Sequence, residues 1–275
     1  MSPFAHELAV AARIVRAAGE IARGYHRGEL TVQSKAGDEP VTEADHAANA
    51  FIVAELAQAF PDDAVLSEEL PDDGSRLGRP RVWMVDPIDG TSDFILGEDG
   101  FVVMIGLAID GKPTVGAVAH PPTHKVYAGI VGDGAWVETR DGARRPLRTS
   151  TISRPPDIRL VASKSHRSSR VDQIKRALGI TDELNVGSIG LKVGLVSEAV
   201  RDLYVYGGPR TKIWDTCGPQ AVLEAAGGRM SDVDGRPLVY DTPDLYNRRG
   251  IVASNGALHD FVIATLAPLV QQPPG

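Results

Sequence analysis

Apolar residues at Leu8, Ala11, Ala12, Val15, Ala18 and Ala22 recur at the spacing of one helical face, so the first twenty-odd residues predict an amphipathic helix that stops near Gly24. A second helix is predicted from Thr42, whose hydroxyl can cap it, through Ala48, Phe51, Ile52 and Leu56 to Pro61. The SKAGDEP segment between them reads as a loop. The period then changes. Val82 to Val85 is a short apolar run that ends in Asp86-Pro87-Ile88-Asp89-Gly90, a strand followed by an abrupt turn. Phe101 to Ile109 is almost continuously apolar, as a strand covered on both faces requires, and Gly111 lets the chain return through a second strand at Thr114 to Ala119.

Beyond a polar, Arg-rich stretch from Asp141 to Pro156, strands are predicted at Arg159 to Ala162, Leu203 to Tyr206 and Gly250 to Ala253. Helices are predicted at Ser168 to Leu178, Leu191 to Val200, Asp215 to Ala226 and Leu258 to Leu266, the last stopping short of Pro268. The mixture implies a layered α/β or α+β fold. There is no internal repeat, and the only low-complexity piece is the tail from Gln271 to Gly275. A chain of 275 residues can bury a large core, and the expectation is one domain over 1–275, with an N-terminal lobe of about 1–150 and a C-terminal lobe of about 151–270.

Composition narrows the classes. With 43% hydrophobic and 24% charged residues the chain belongs with ordinary globular proteins. No apolar run reaches the roughly 18 residues that span a bilayer, and the N-terminus lacks a basic start followed by a continuous apolar stretch, so the expectation is a cytoplasmic protein that binds no membrane. The single cysteine, Cys217, excludes an internal disulfide and a thiolate zinc site, and it reads as a small packed residue. A net charge of -7 argues against binding polymeric nucleic acid, whereas phosphate can still be held through metal ions on acidic ligands. Of the seven histidines only His120 and His124 stand four apart, and Pro121 and Pro122 between them preclude a helical metal-binding pair.

The acidic residues are more informative. Magnesium takes oxygen ligands in near-octahedral geometry, usually a few carboxylates completed by water and substrate phosphate. In VDPIDGT, Asp86 and Asp89 flank a turn whose Pro87 fixes one backbone angle, so that both carboxylates and the Ile88 carbonyl could face one point. Gly90 and Thr91 then offer backbone N–H groups to an anion, with Ser92 next in line. Alone, this is also the sequence of a plain surface turn. Glu68-Glu69 alone suits a solvated loop or helix start, and Trp214-Asp215 alone suits a simple helix cap.

Taken together, WMVDPIDGTSDF, VLSEE, PVTEAD and WDTCGPQAVLEAAGG resemble the signatures of the inositol monophosphatase superfamily of lithium-sensitive, magnesium-dependent phosphatases, over about residues 5 to 255. The resemblance implies a layered α-β-α-β-α sandwich of α+β class and two or three Mg2+ ions per site. It implies that Glu68, Asp86, Asp89, Asp215 and the Ile88 carbonyl bind metal. Thr91, with Glu68, would position the nucleophilic water, and the Gly90, Thr91 and Ser92 backbone would hold the phosphate. Asp45 would join the proton-handling network, although Thr42 and Asp45 also read as a capping box and both readings can hold. Lys35 is either a surface charge or a contact for product phosphate.

Relatives that prefer inositol phosphates carry an acid several positions before the WD motif, and here Tyr204 to Ile213 contains none. The pattern DLY, GP, T and WD, with GSIGLK at Gly187 to Lys192, resembles bacterial 3'(2'),5'-bisphosphate nucleotidases. Lys192, Arg210 or Lys212 would then meet the second phosphate, or be ordinary surface charges. Gly190 and Thr216-Cys217-Gly218 depart from the commonest nucleotidase pattern. An inositol- or sugar-phosphate monophosphatase is the alternative. A partner-binding protein is a further one, against which the complete acidic set argues. The implied partner is a small phosphate ester, and a homodimer is left open.

Overall fold

The computed structural model describes residues 2–28, 30–34, 40–164 and 169–270. In chain order the elements are α1 (Ala5–Tyr25), β1 (Val32–Ser34), β2 (Pro40–Thr42), α2 (Glu43–Ala59), β3 (Ala64–Ser67), β4 (Arg81–Asp89), α3 (Thr91–Ile95), β5 (Val102–Ile109), β6 (Lys112–His120), β7 (Lys125–Ile130), β8 (Gly134–Glu138) and β9 (Arg144–Leu147). The second half holds β10 (Arg159–Ser163), α4 (Ser169–Leu178), β11 (Asp182–Val186), α5 (Ile189–Ser197), β12 (Leu203–Tyr206), α6 (Ile213–Ala225), β13 (Arg229–Ser231), β14 (Ile251–Ser254) and α7 (His259–Val270).

Strands β3 to β9 form one seven-stranded sheet in sequence order, and the second sheet has the order β11-β10-β12-β14-β13. The apolar run in β5 is explained by burial on both faces. Val103, Ile105 and Leu107 join α1 and α2 residues such as Ile14, Val15, Ile52 and Leu56 in one core. Alternate residues such as Val102, Met104 and Ala108 face the opposite side, among α5 and α6 residues. There α5 and α6 fill the space between the sheets and are buried nearly all round, so neither shows a polar stripe. The far face of the second sheet is covered by α4 and α7, through Val171, Ile174, Val262 and Leu266 against Leu160, Leu203 and Val252. The layers therefore run helix, sheet, helix, sheet, helix, which is the expected sandwich.

Several boundaries differ from the sequence expectation, and two of them matter. The strand expected to end at Val85 continues to Asp89, pairing Asp86 with Met104 and Asp89 with Val102. Three steps on β4 thus oppose two on β5, a bulge that absorbs Pro87, which has no N–H to give the ladder. Asp215 is not the N-cap residue of α6 but the third residue of its first turn, where its carboxylate accepts the N–H of the N-cap Lys212 at 2.7 Å. Elsewhere α5 starts at Ile189 behind Ser188, whose hydroxyl accepts the Leu191 N–H at 2.9 Å, and α7 runs through Pro268 to Val270. Ser168, Lys35 and the tail 271–275 lie outside the described residues. Among the described residues no helix is long and apolar enough to cross a membrane.

Helix α6 crosses the β5–β6 hairpin at backbone contact. A Cβ on Gly106 would stand 2.4 Å from the Gly218 nitrogen, and one on Gly116 would stand 2.1 Å from the Gly218 oxygen. No rotamer change relieves a clash with backbone, so Gly116→Ala should destabilise the fold by about 1–3 kcal/mol in chemical denaturation. Gly24→Ala in α1, where nothing lies within 4 Å of the missing Cβ, should not destabilise it. Equal stabilities for the two variants would refute the backbone-contact account.

Candidate metal and phosphate site

The acidic residues reach one region from separate elements. Glu68 follows β3, its N–H donating to the Val85 carbonyl at 3.1 Å, which ties it to β4 in parallel register. Ser67 beside it is buried and donates its hydroxyl to Asn49 of α2. Asp86 and Asp89 occupy the bulge of β4, and Asp215 arrives on the first turn of α6.

Electrostatics register their proximity. Burial pushes the Asp86 carboxyl well above the usual carboxylate range, and the charges of Glu68, Asp89 and Asp215 push it further. Asp89 is raised to about 6 by burial, against the Gly190 N–H, 2.8 Å from its Oδ2, and the Lys192 charge, both of which favour the ionised form. Burial also raises Asp215, reinforced by Asp89 and Glu68 and opposed by the N–H and charge of Lys212. Like charges this close disfavour joint ionisation unless a cation lies among them.

The donor set suits a hard cation. It consists of four carboxylates and a carbonyl, all oxygen, and Asp86 Oδ1 is buried with no hydrogen-bond partner. Among the described residues no three acidic, His or Cys groups are already closed round a common point, so the fit rests on donor chemistry and mutual repulsion and not on a preformed cage.

Next to these acids is a tight turn at the start of α3. Gly90, with φ of 96°, precedes α3, and a Cβ there would lie 2.7 Å from the Gly100 carbonyl. A side chain is thereby excluded at Gly90, and along the turn Gly90 and Thr91 are half-buried while Ser92 is exposed. Thr91 Oγ1 lies 2.9 Å from the Ile88 carbonyl and 3.4 Å from Asp45 Oδ1. The other Asp45 oxygen accepts from the Thr42 N–H at 2.8 Å and the Thr42 hydroxyl at 2.6 Å. The capping box and the link to Thr91 therefore coexist, one on each oxygen.

Of the three candidate cations, Lys192 is the buried one. It is buried on α5, its ammonium donates to the carbonyls of Gly187 and Ser188, the latter at 2.9 Å, and burial lowers it to about 8. It does not face solvent, and two of its donors close the start of α5. Arg210 is exposed, and Lys212 is half-buried with Nζ 5.1 Å from the Trp214 ring. Cys217 is buried and free, with its thiol pushed up by burial, as a packed residue should be. A cavity of about 420 Å³ lined by Arg16, Glu20, His124 and Arg140, among others, includes none of Glu68, Asp86, Asp89 and Asp215.

Sequence reasoning missed the Gly190 N–H on Asp89 and the buried Asp93, which fills the space left by Gly100 and Gly187. Ser188 three residues before Leu191 was the available signal for the first. Nothing local marks the second.

Residues 5–271 match the Inositol monophosphatase family. The chain belongs to this family. It is 37% identical over 245 residues to the 3'(2'),5'-bisphosphate nucleotidase CysQ of Escherichia coli (strain K12), covering 88% of this chain and 97% of that protein. It is 33% identical over 242 residues to the histidinol-phosphatase of Mycobacterium tuberculosis (strain ATCC 25618 / H37Rv), covering 86% and 88%. The structure of CysQ from Bacteroides thetaiotaomicron, a bacterial member of the inositol monophosphatase family, superposes with a TM-score of 0.77 at 27% identity, covering 92% of this chain and 98% of that one. The family is one of metal-dependent phosphatases, and this chain is accordingly a phosphatase.

In metal-stripped protein the raised Asp89 makes the folded state bind more protons than the unfolded chain between about pH 4 and 6, so its contribution to stability falls as pH rises through that window. Asp89→Asn should therefore gain melting temperature relative to wild type as the buffer, with chelator, goes from pH 4 to pH 7. A gap independent of pH would overturn the repulsion argument.

Proposed function

We propose that this phosphatase uses Mg2+ held by Glu68, Asp86, Asp89, Asp215 and the Ile88 carbonyl to hydrolyse the 3'-phosphate of adenosine 3',5'-bisphosphate, giving AMP and phosphate. The observation that carries the metal assignment is the converging set of mutually repelling acids, with Asp86 Oδ1 buried and unpartnered. The substrate assignment rests on the 37% identity to the bisphosphate nucleotidase and on the absence of an acid from Tyr204 to Ile213.

When bound, Mg2+ would polarise the phosphate and lower the pKa of water. The chain supplies the rest. Backbone N–H groups of Gly90, Thr91 and Ser92 hold the phosphate at the start of α3. Thr91 Oγ1 and Glu68 orient the attacking water, and Asp45, anchored by Thr42, takes up the proton load through Thr91. Water oxygen bonds to phosphorus, the ester P–O bond breaks, and the proton given up by the water ends on the departing 3'-oxygen, which becomes the hydroxyl. No phosphoenzyme forms. The two sheets, with residues 64–147 in one and 159–254 in the other, act as two lobes of one phosphatase domain, and the enzyme works in the cytoplasm on a free small molecule.

Phosphate release with magnesium should be greatest for adenosine 3',5'-bisphosphate among that ester, inositol 1-phosphate and fructose 1,6-bisphosphate. Preference for one of the other two would move the alternative to first place. Asp86→Asn and Asp215→Asn should each lose more than about 100-fold in kcat/KM with the fold intact by circular dichroism, and wild-type turnover in either would sink the metal assignment.

The exposed Arg210 and the half-buried Lys212 are the partners of the phosphate that is not cleaved. One charge-assisted contact is worth about 1.5–3 kcal/mol, so neutralising both should cost the bisphosphate roughly 10- to 100-fold more than a monophosphate. Equal losses on the two substrates would reject this role.

A further inference from the structure

Lys212 does not stand alone at the rim. The segment 244–248 runs antiparallel beside it, with Lys212 paired to Tyr246. The Ile213 N–H donates to the Leu245 carbonyl at 2.9 Å, and the Asn247 N–H donates to the Thr211 carbonyl at 2.8 Å. Asn247 is buried, and its side-chain amide donates to the Lys212 carbonyl at 3.0 Å and to Thr216 Oγ1 at 3.3 Å. Tyr246 is therefore fixed by its neighbours' hydrogen bonds, next to the first turn of α6 that carries Asp215.

Its ring is occupied by cations. Lys212 Nζ lies 5.2 Å from the ring centroid and Arg248 Cζ lies 4.4 Å from it, while Lys212 Nζ is also 5.1 Å from the buried Trp214 ring. Arg248 is itself aimed by Asp244, which accepts from its Nε at 2.9 Å and Nη2 at 3.0 Å. Gathering two cations at one aromatic ring costs repulsion and side-chain entropy, and the ring quadrupole offsets part of that. Either side of Lys212, Thr211 Oγ1 and Trp214 Nε1 are buried with no partner, two polar atoms left over where the cation is held.

We propose that Tyr246 is a specificity-determining positioning residue: its ring, with Arg248 against it, holds Lys212 beside Asp215 so that a second, non-scissile phosphate meets a preset cation. The ligand class is a small bisphosphate ester. The idea deepens the nucleotidase reading and rests on it. A long lysine stem has several rotatable bonds, and fixing it before binding removes an ordering cost that only a substrate with a second phosphate would otherwise bear.

The experiment compares kcat/KM for adenosine 3',5'-bisphosphate and adenosine 3'-monophosphate at fixed magnesium in wild type, Tyr246→Leu and Tyr246→Phe. The leucine variant should penalise the bisphosphate about 3- to 30-fold more than the monophosphate, the range of one cation–π contact. The phenylalanine variant keeps the ring and should keep the wild-type ratio. An equal loss on both substrates with leucine would assign Tyr246 a merely structural role, and a phenylalanine variant that behaves like leucine would replace the ring by the hydroxyl as cause; either overturns the proposal. A wild type that does not distinguish the two esters would remove the nucleotidase reading itself, an outcome visible before any variant is measured.

Discussion

The structure depends on the distance at which α6 lies on the β5–β6 hairpin. Glycines face one another there, Gly218 on the helix and Gly106 and Gly116 on the strands, with no side chain between them. That approach sets the height of the helix over the sheet. Asp215 is on the first turn of that helix and Asp86 and Asp89 end the neighbouring strand, so a spacer of one methyl group in the contact would move one set of acids against the other. Thr216-Cys217-Gly218, a departure from the commonest pattern when read as letters, is in place the flat underside of α6: Thr216 and Cys217 are fully buried, and Gly218 touches backbone.

Electrostatic conflict is the second organising feature. Four carboxylates are assembled at the junction of the two sheets, and the protein's own relief is small: the Gly190 N–H and the inward-facing Lys192 for Asp89, and the Lys212 N–H for Asp215. Both interlayer helices contribute at their N-terminal ends, where backbone N–H groups favour negative charge. A cation bound among them would relieve that repulsion, and its binding would then be coupled to folding at this place.

How much of this was legible in the sequence follows from how local each determinant is. Helices α1 and α2 were readable because their periodicity and the Thr42 cap lie within a few residues. The β5–β6 hairpin was readable because burial on both faces leaves a continuous apolar run. Strands β9 and β11 were not: both are sheet edges, three of four positions in Arg144–Leu147 are exposed, and no position in Asp182–Val186 is buried, so no alternation is imposed on them. The acids stood out through their motifs, whereas the direction of a side chain did not. Lys192 reads as a phosphate contact or a surface charge, and only the presence of a sheet on either side of its helix turns it inward. Pro87 reads as a strand terminator, and pairing with β5 overrides that signal.

The bulge at Asp86 to Asp89 has a consequence for how this chain can vary. Side chains on a strand alternate between faces, so the one additional residue reverses the phase of everything beyond it. The four residues tolerate changes of identity to different degrees, but their number is fixed. Deleting one would turn Asp89 from one face of the sheet to the other and shift Gly90 off the Gly100 carbonyl. Library design, homologue grafting and loop shortening around this strand must therefore conserve the count as well as the aspartates, which makes segment length a second invariant of this region beside composition.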